Sequence, residues 1–298
     1  MAKYEGIIPP IITPFNQDWS INEGAFRRVI NYLIGNGCHG VFVAGSQGEF
    51  FSLERHERIR LFEVAVDECK DRVPVFAGTA AVTTAETVLL TKEAEKAGCA
   101  AVSVIAPYFL RPNGQELFQH YKAVAAATNL PVLLYNNPDR VGYDLPVDTV
   151  KRLAEIDNII GMKDSGGNLT YVNEILRNTS DQFSLFSGRD TVIYNILASG
   201  GAGAVPASAN VAPKLVVDLY NNFRKGDLAA AKAAQFALAP LRLAFDLGSF
   251  PVVMKEALNI MGFDVGGARP PIQPITAENR ARLKETLTKM GLVKELEK

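Results

Sequence analysis

The sequence has few of the features that would announce a compartment or a partner. Cysteine is scarce: Cys38, Cys69 and Cys99 are the only three, widely spaced and with no C-x-x-C pair. An odd, scattered set does not read as a disulfide framework and fits reduced thiols in a cytoplasmic compartment. His39, His56 and His120 are the only histidines, and their spacing matches no metal-ligand pattern. No metal is expected. Charge of one sign is also missing. Lys and Arg number 31 against 32 Asp and Glu, with no basic block and no acidic tail, so no nucleic-acid surface is expected. No run of about 18 uninterrupted apolar residues occurs, and none would suit a membrane span. The start, "MAKYEGIIPP", lacks the charged-then-apolar layout of a secretory leader. Low-complexity tracts and Gly/Ser/Pro-rich linkers are absent as well.

What the chain does have is rhythm. Hydrophobic residues make up 48% of its 298 positions, enough for a large core. They fall into short, near-continuous runs: 6–13, 40–45, 73–78, 101–107, 131–136, 159–163, 183–188 and 203–207. Such runs suit strands covered on both faces. Between them lie longer segments with apolar residues at helical spacing, several stopping at glycine, as in "NEGAFRRVINYLIGNG". Eight strand–helix units in order predict parallel strands joined by right-handed crossovers, closed into a (β/α)8 TIM barrel. After residue 225 the strand signals end, and three more helical segments follow. The expected organisation is a catalytic barrel over 1–225 and a C-terminal helical extension over 226–298, packed on the barrel.

In such barrels chemistry sits at the C-terminal ends of the strands. That rule selects "GSQGEF" (45–50), Thr79, "PYFLRP" (107–112), "YNNPDR" (135–140), Lys163, "SGRD" (187–190) and "VPASAN" (205–210). Strand alternation puts Ile159, Gly161 and Lys163 on one face of strand six, and Ile160 and Met162 on the other. The bulky pair suits the helix layer, so Lys163 is expected to point into the barrel. Burial disfavours the ammonium form of a lysine, and a neutral amine can attack a ketone to form a Schiff base. A lysine that merely snorkels from a strand end is the plain alternative. Tyr135 ends the neighbouring strand. Its phenol could move protons beside that amine, or simply be a buried ring with a bonded hydroxyl.

The glycines around Ser46 and Gln47 could expose backbone N–H groups to a carboxylate; a tight turn is the alternative. No G-K-[ST] follows, so this is no P-loop. Glu49 is read as favouring the N-terminus of the next helix. "ASGGAGA" (198–204) precedes strand eight, which puts it on the opposite, structural face. Arg140 could hold a carboxylate in a bidentate grip, or pair with Asp139 at the surface. Ser165, Gly188, Asp190 and Val205 complete the expected pocket lining.

With these positions in place, the whole chain resembles the dihydrodipicolinate synthase / N-acetylneuraminate lyase family of pyruvate-dependent class I aldolases. The likeness rests on "GSQGE", "YNNP" and "GMKDS", in order and at matching strand ends. It implies that Lys163 forms a Schiff base with pyruvate or another 2-oxo acid and that Tyr135 shuttles protons. It also implies that Ser46 and Gln47 hold the keto-acid carboxylate, that the backbone near Val205 lines the pocket, and that no cofactor is needed. A homotetramer, a dimer of dimers, is the implied assembly.

Two departures bear on the substrate. The synthases usually carry two tyrosines after the strand-four proline, where this chain has Tyr108 and then Phe109. They typically have threonine at the position of Gln47. Arg140, by contrast, matches the arginine those synthases use for a semialdehyde carboxylate. The expected activity is reversible cleavage of a 4-hydroxy-2-oxo acid, either 4-hydroxy-2-oxoglutarate or a 2-keto-3-deoxy sugar acid, to pyruvate and an aldehyde. The alternatives are 4-hydroxy-tetrahydrodipicolinate synthase and a non-catalytic barrel that binds a keto acid.

Overall fold

The computed structural model describes residues 4–294. Eight strands form one parallel sheet: β1 (Gly6–Ile7), β2 (Val41–Val43), β3 (Val75–Gly78), β4 (Ala101–Ile105), β5 (Val132–Asn136), β6 (Ile159–Asp164), β7 (Ser184–Ser187) and β8 (Gly203–Ala204). Their order is β1-β8-β7-β6-β5-β4-β3-β2. A parallel bridge between Pro10 and Phe42 joins the chain after β1 to β2 and closes the barrel. Each of the eight apolar runs contributes one strand, shorter than the run itself except in β6, which extends one residue past its run to Asp164.

The barrel helices are α1 (Glu23–Gly35), α2 (Arg55–Cys69), α3 (Thr84–Lys96), α4 (Gly114–Ala125), α5 (Pro138–Val141), α6 (Val147–Leu153), α7 (Leu169–Asn178), α8 (Ile193–Ala198) and α9 (Pro213–Arg224). Local chemistry sets their ends. Asn22, Thr83, Asn113 and Asn168 accept hydrogen bonds from first-turn amides, and Glu116 returns the bond to Asn113. The short α5 lies outside the eight-unit rhythm. Pro138 at its first turn presets the helical φ, and Gly142, at φ 84°, ends it after four residues.

Two apolar layers follow from strand alternation. Ile8, Phe42, Phe76, Leu133, Phe186 and Val205 fill the barrel interior. Val43, Val104, Leu134, Met162 and Leu185 face the helices. Tyr4 plugs the bottom, its ring edge on Phe76 and its hydroxyl donating to Ala100 O at 3.1 Å. The alternation expected in β6 holds from Gly161 onward. Ile159 instead joins the outer layer, because the register jumps from Val132↔Ile159 to Leu133↔Gly161 and Ile160 is the bulged residue. Glycines of the 198–204 run lie at the closed end, where a Cβ on Gly203 would sit 2.0 Å from Gly6 O.

Three helices follow the barrel: α10 (Leu228–Leu243), α11 (Val252–Ile260) and α12 (Ala277–Lys289). The stretch 228–247 is long and apolar enough to cross a membrane by length and composition. In the fold, however, it packs along α9 with Ala231, Ala234, Leu238 and Leu241 buried. The extension reaches back into the barrel mouth. Lys255 of α11 pairs with Glu49 at 2.5 Å, both fully buried, and Arg269 N donates to the second Glu49 oxygen at 3.0 Å. Glu49 therefore does not serve the N-terminus of α2; Glu54 and Glu57 form that capping box. The reading of Glu49 from sequence failed because its partners lie more than 200 residues away. Stranding one member of such a pair commonly costs about 3–5 kcal/mol, so the contact is a strong constraint on how the loop meets the extension.

Candidate active site

Lys163 leaves the C-terminal end of β6 beside Tyr135 on β5, its register partner. The lysine is 4% exposed, and its Nζ lies 4.1 Å from the centre of the Tyr135 ring and 5.3 Å from that of Phe42. Above it opens a cavity of about 490 Å³. The nine residues named from sequence as catalytic or pocket-lining all line this one cavity: Ser46, Gln47, Tyr135, Arg140, Lys163, Ser165, Gly188, Asp190 and Val205; the strand-end candidates Thr79 and 107–112 do not.

The Tyr135 hydroxyl is crowded with polar partners. Asn137 Nδ2 donates to it at 2.8 Å, and Ser46 and Ser165 also hydrogen-bond to it. Burial by itself would raise the phenol's pKa. The Lys163 charge, with the bonds to Ser46, Ser165 and Asn137, outweighs burial and holds the phenol below its usual value near 10. A buried phenol eased toward phenolate beside a lysine amine can take and return a proton within the cavity.

Gly188 follows β7 and has a steric reason to be glycine. A Cβ there would lie 2.1 Å from Ser165 Oγ and 2.8 Å from Lys163 Cε. Gly188→Ala is therefore expected to displace both side chains. A misplacement of about 1 Å can cost roughly 100-fold in rate, so kcat/KM should fall by about that factor with the fold intact by circular dichroism. Activity within twofold of the parent would show that the lysine's approach is not set by this contact.

Asp190 lines the cavity, but its carboxylate is engaged elsewhere. One oxygen accepts from Ser208 N at 2.9 Å and from Ser208 Oγ, and Arg242 Nε lies 3.9 Å from the other. Asp190 thus braces the turn after β8, downstream of Val205. Arg140 is exposed at the mouth, with its guanidinium 4.2 Å from the Phe250 ring centre. Its suspected partner Asp139 bonds Arg189 instead, at 2.5 Å. Gln47 is buried and donates from Nε2 to Pro251 O at 3.3 Å.

The sequence reading left out much of the lining. Asn137, Asp139 and Arg189 lay inside the quoted strand-end motifs, one to three residues from chosen positions. Arg242, Phe245, Asp246, Ser249, Phe250, Val253 and Met254 come from the helical extension, where no strand-end rule points. Among the described residues no group of three or more His, Cys, Asp or Glu side chains is arranged to hold a metal.

Comparison with known proteins assigns the whole chain to one family. The dihydrodipicolinate synthetase family matches residues 3–290. The chain belongs to that family. A 4-hydroxy-tetrahydrodipicolinate synthase from Methanothrix thermoacetophila is 40% identical over 289 residues, covering 97% of each chain. A dihydrodipicolinate synthase from Bacillus anthracis superposes with a TM-score of 0.93 at 34% identity, covering 100% of both chains. A prophage protein of the family from E. coli K12, solved in complex with pyruvate, reaches a TM-score of 0.95 at 34% identity, covering 98% of this chain and 100% of that one.

Both departures from the synthase pattern have a visible place in the fold. Gln47 reaches the extension through its amide. Phe109 is 93% exposed with φ +70°, so its ring lies outside the cavity of its own chain.

Proposed function

We propose that the protein is a pyruvate-dependent class I aldolase in which Lys163 forms the Schiff base. The observation that carries this reading is the buried Lys163 amine against the Tyr135 ring, at the floor of the cavity into which Ser46 and Gln47 also project. In the cleavage direction the amine adds to C2 of a 4-hydroxy-2-oxo acid, and loss of water gives the iminium. Tyr135 as phenolate takes the proton from the C4 hydroxyl. The C3–C4 electrons move to C3, giving an enamine and a free aldehyde. The enamine is protonated at C3, and water releases pyruvate and regenerates the amine. Ser46 would bridge the hydroxyl and Tyr135, with Gln47 and the backbone near Val205 beside the keto-acid carboxylate. The pyruvate bound to the E. coli relative supports the keto acid, and Gln47 and Phe109 support a hydroxy-oxo acid over the synthase reaction.

A second reading has its own support. The similar curated relatives carry the name 4-hydroxy-tetrahydrodipicolinate synthase at 35–40% identity. In this reading pyruvate would form the same imine on Lys163 and condense with aspartate semialdehyde, as the family resemblance implies. Reductive trapping with pyruvate and borohydride, read by intact mass, tests the shared step. Comparing the rate with pyruvate plus aspartate semialdehyde against cleavage of 4-hydroxy-2-oxoglutarate and 2-keto-3-deoxy sugar acids then separates the two. Absence of any trapped adduct would leave a keto-acid-binding barrel without this chemistry.

Arg140 is assigned to a distal carboxylate in either reading. Arg140→Ala should raise KM for a dicarboxylic substrate about tenfold or more, the scale of a lost charge-assisted contact, and barely affect pyruvate trapping. An unchanged KM would remove Arg140 from substrate recognition. A homotetramer belongs to the same proposal. Phe51, Phe109 and Leu110 expose large apolar side chains that an assembly would cover.

A further inference from the structure

The loop carrying Ser46 and Gln47 has an unusual backbone. Ala44, at φ 49°, and Glu49, at φ 58°, are non-glycine residues in the left-handed region, and they flank the two candidate ligands of the keto-acid carboxylate. Such conformations persist only where the surroundings impose them. On the barrel side, Thr13 Oγ1 donates to Gly48 O at 2.6 Å. On the other side everything comes from the extension: Lys255 Nζ is 2.5 Å from Glu49 Oε1, Arg269 N donates to Glu49 Oε2, and Gln47 holds Pro251 O. Lys255 is itself seated. It donates to Gly267 O at 2.7 Å, and its Nζ lies 4.1 Å from the Phe15 ring centre. Its neighbours Val253 and Met254 on α11 also line the cavity. One ion pair thus joins two walls of the site without touching the cavity.

We propose that Glu49 and Lys255 are positioning residues: their buried ion pair holds the Ser46–Gln47 loop in its substrate-binding shape against the C-terminal helix. The extension is then part of the keto-acid site. Loss of the cation lets residues 44–49 relax out of the left-handed turns, and the carboxylate cradle loosens while Lys163 and Tyr135, on their strands, keep their places. The activity readout rests on the Schiff-base assignment of Lys163.

The test compares the full-length parent with Lys255→Met and Glu49→Gln. Borohydride trapping is titrated against pyruvate, with circular dichroism as the fold check. Lys255→Met should raise the half-saturating pyruvate concentration by about tenfold and leave the trapped fraction at saturation near that of the parent, the signature of lost binding. Glu49→Gln keeps the side chain's shape and an oxygen for Arg269 N, and should raise it roughly threefold. Should Lys255→Met fail to fold, the milder variant decides. A half-saturation equal to the parent's, with only the trapped fraction reduced in step with the folded fraction, would make the pair purely structural and overturn the proposal. Amide hydrogen exchange without ligand supplies a readout independent of the chemistry. Exchange should quicken together in residues 45–50 and 252–256 but not in β6, and unchanged exchange there would also overturn it. A parent that traps no pyruvate would remove the Schiff-base reading alone, with the exchange data still deciding the clamp.

Discussion

Lys163→Ala is expected to take up no pyruvate under borohydride, in contrast to a stoichiometric mass gain in the parent protein. The same variant should lose kcat on any hydroxy-oxo acid by about 10⁴-fold or more, the scale on which loss of a covalent nucleophile is felt. Many lysines react with borohydride and a ketone at high concentration, so the contrast must be made at low pyruvate, where only an amine already seated in a pocket competes. Among the described residues one lysine lines the cavity: Lys163, at the end of β6 and 4% exposed. Lys255 is also buried, yet its ammonium is committed to Glu49 and Gly267 O and does not line that cavity. Fold loss should not confuse the outcome. Alanine leaves the Phe42 and Tyr135 rings in place and merely enlarges an existing cavity, so the circular dichroism spectrum should match the parent. An adduct that survives in Lys163→Ala would relocate the chemistry to another amine.

Tyr135→Phe should separate imine formation from C–C cleavage. The ring stays, and with it the packing against Lys163, but the hydroxyl bonded to Asn137, Ser46 and Ser165 is gone. General acid–base catalysis is worth about 10²–10⁴-fold, so kcat for cleavage should fall by that amount while pyruvate is still trapped, more slowly. The pH dependence follows from the same contacts. Burial raises the phenol's pKa, but the Lys163 charge and the three hydrogen bonds more than offset it, so the phenolate forms below the usual phenol range. A protonated imine retains the positive charge, so the effect outlasts the free amine. Cleavage should therefore rise with pH along a limb whose midpoint lies below the usual phenol value of about 10. Asn137→Leu removes a cause of lowering, so its limb should move to higher pH; Tyr135→Phe should lack the limb. A limb unmoved by Asn137→Leu would show that another group sets it.

The sequence by itself determined the barrel. Near-continuous apolar runs alternating with helical periodicity leave parallel strands as the economical arrangement, and each run contributes a strand because a doubly covered strand must be apolar on both faces. Strand ends then placed Lys163, Tyr135, Ser46 and Gly188 at one mouth, since parallel strands send all their C-terminal ends the same way. Three things were decided only by the tertiary structure. The bulge at Ile160 depends on how β5 and β6 pair, which no single strand's pattern encodes. The ties of Asp139 to Arg189 and of Asp190 to Ser208 and Arg242 depend on loops from different strands meeting in space. The cavity lining supplied by the extension, between Arg242 and Met254, and the burial of Glu49 by Lys255 depend on where the extension docks. Helical periodicity shows that such helices have a face to bury, but not which end of the barrel receives it. At that distance in sequence, only packing brings the two charges together.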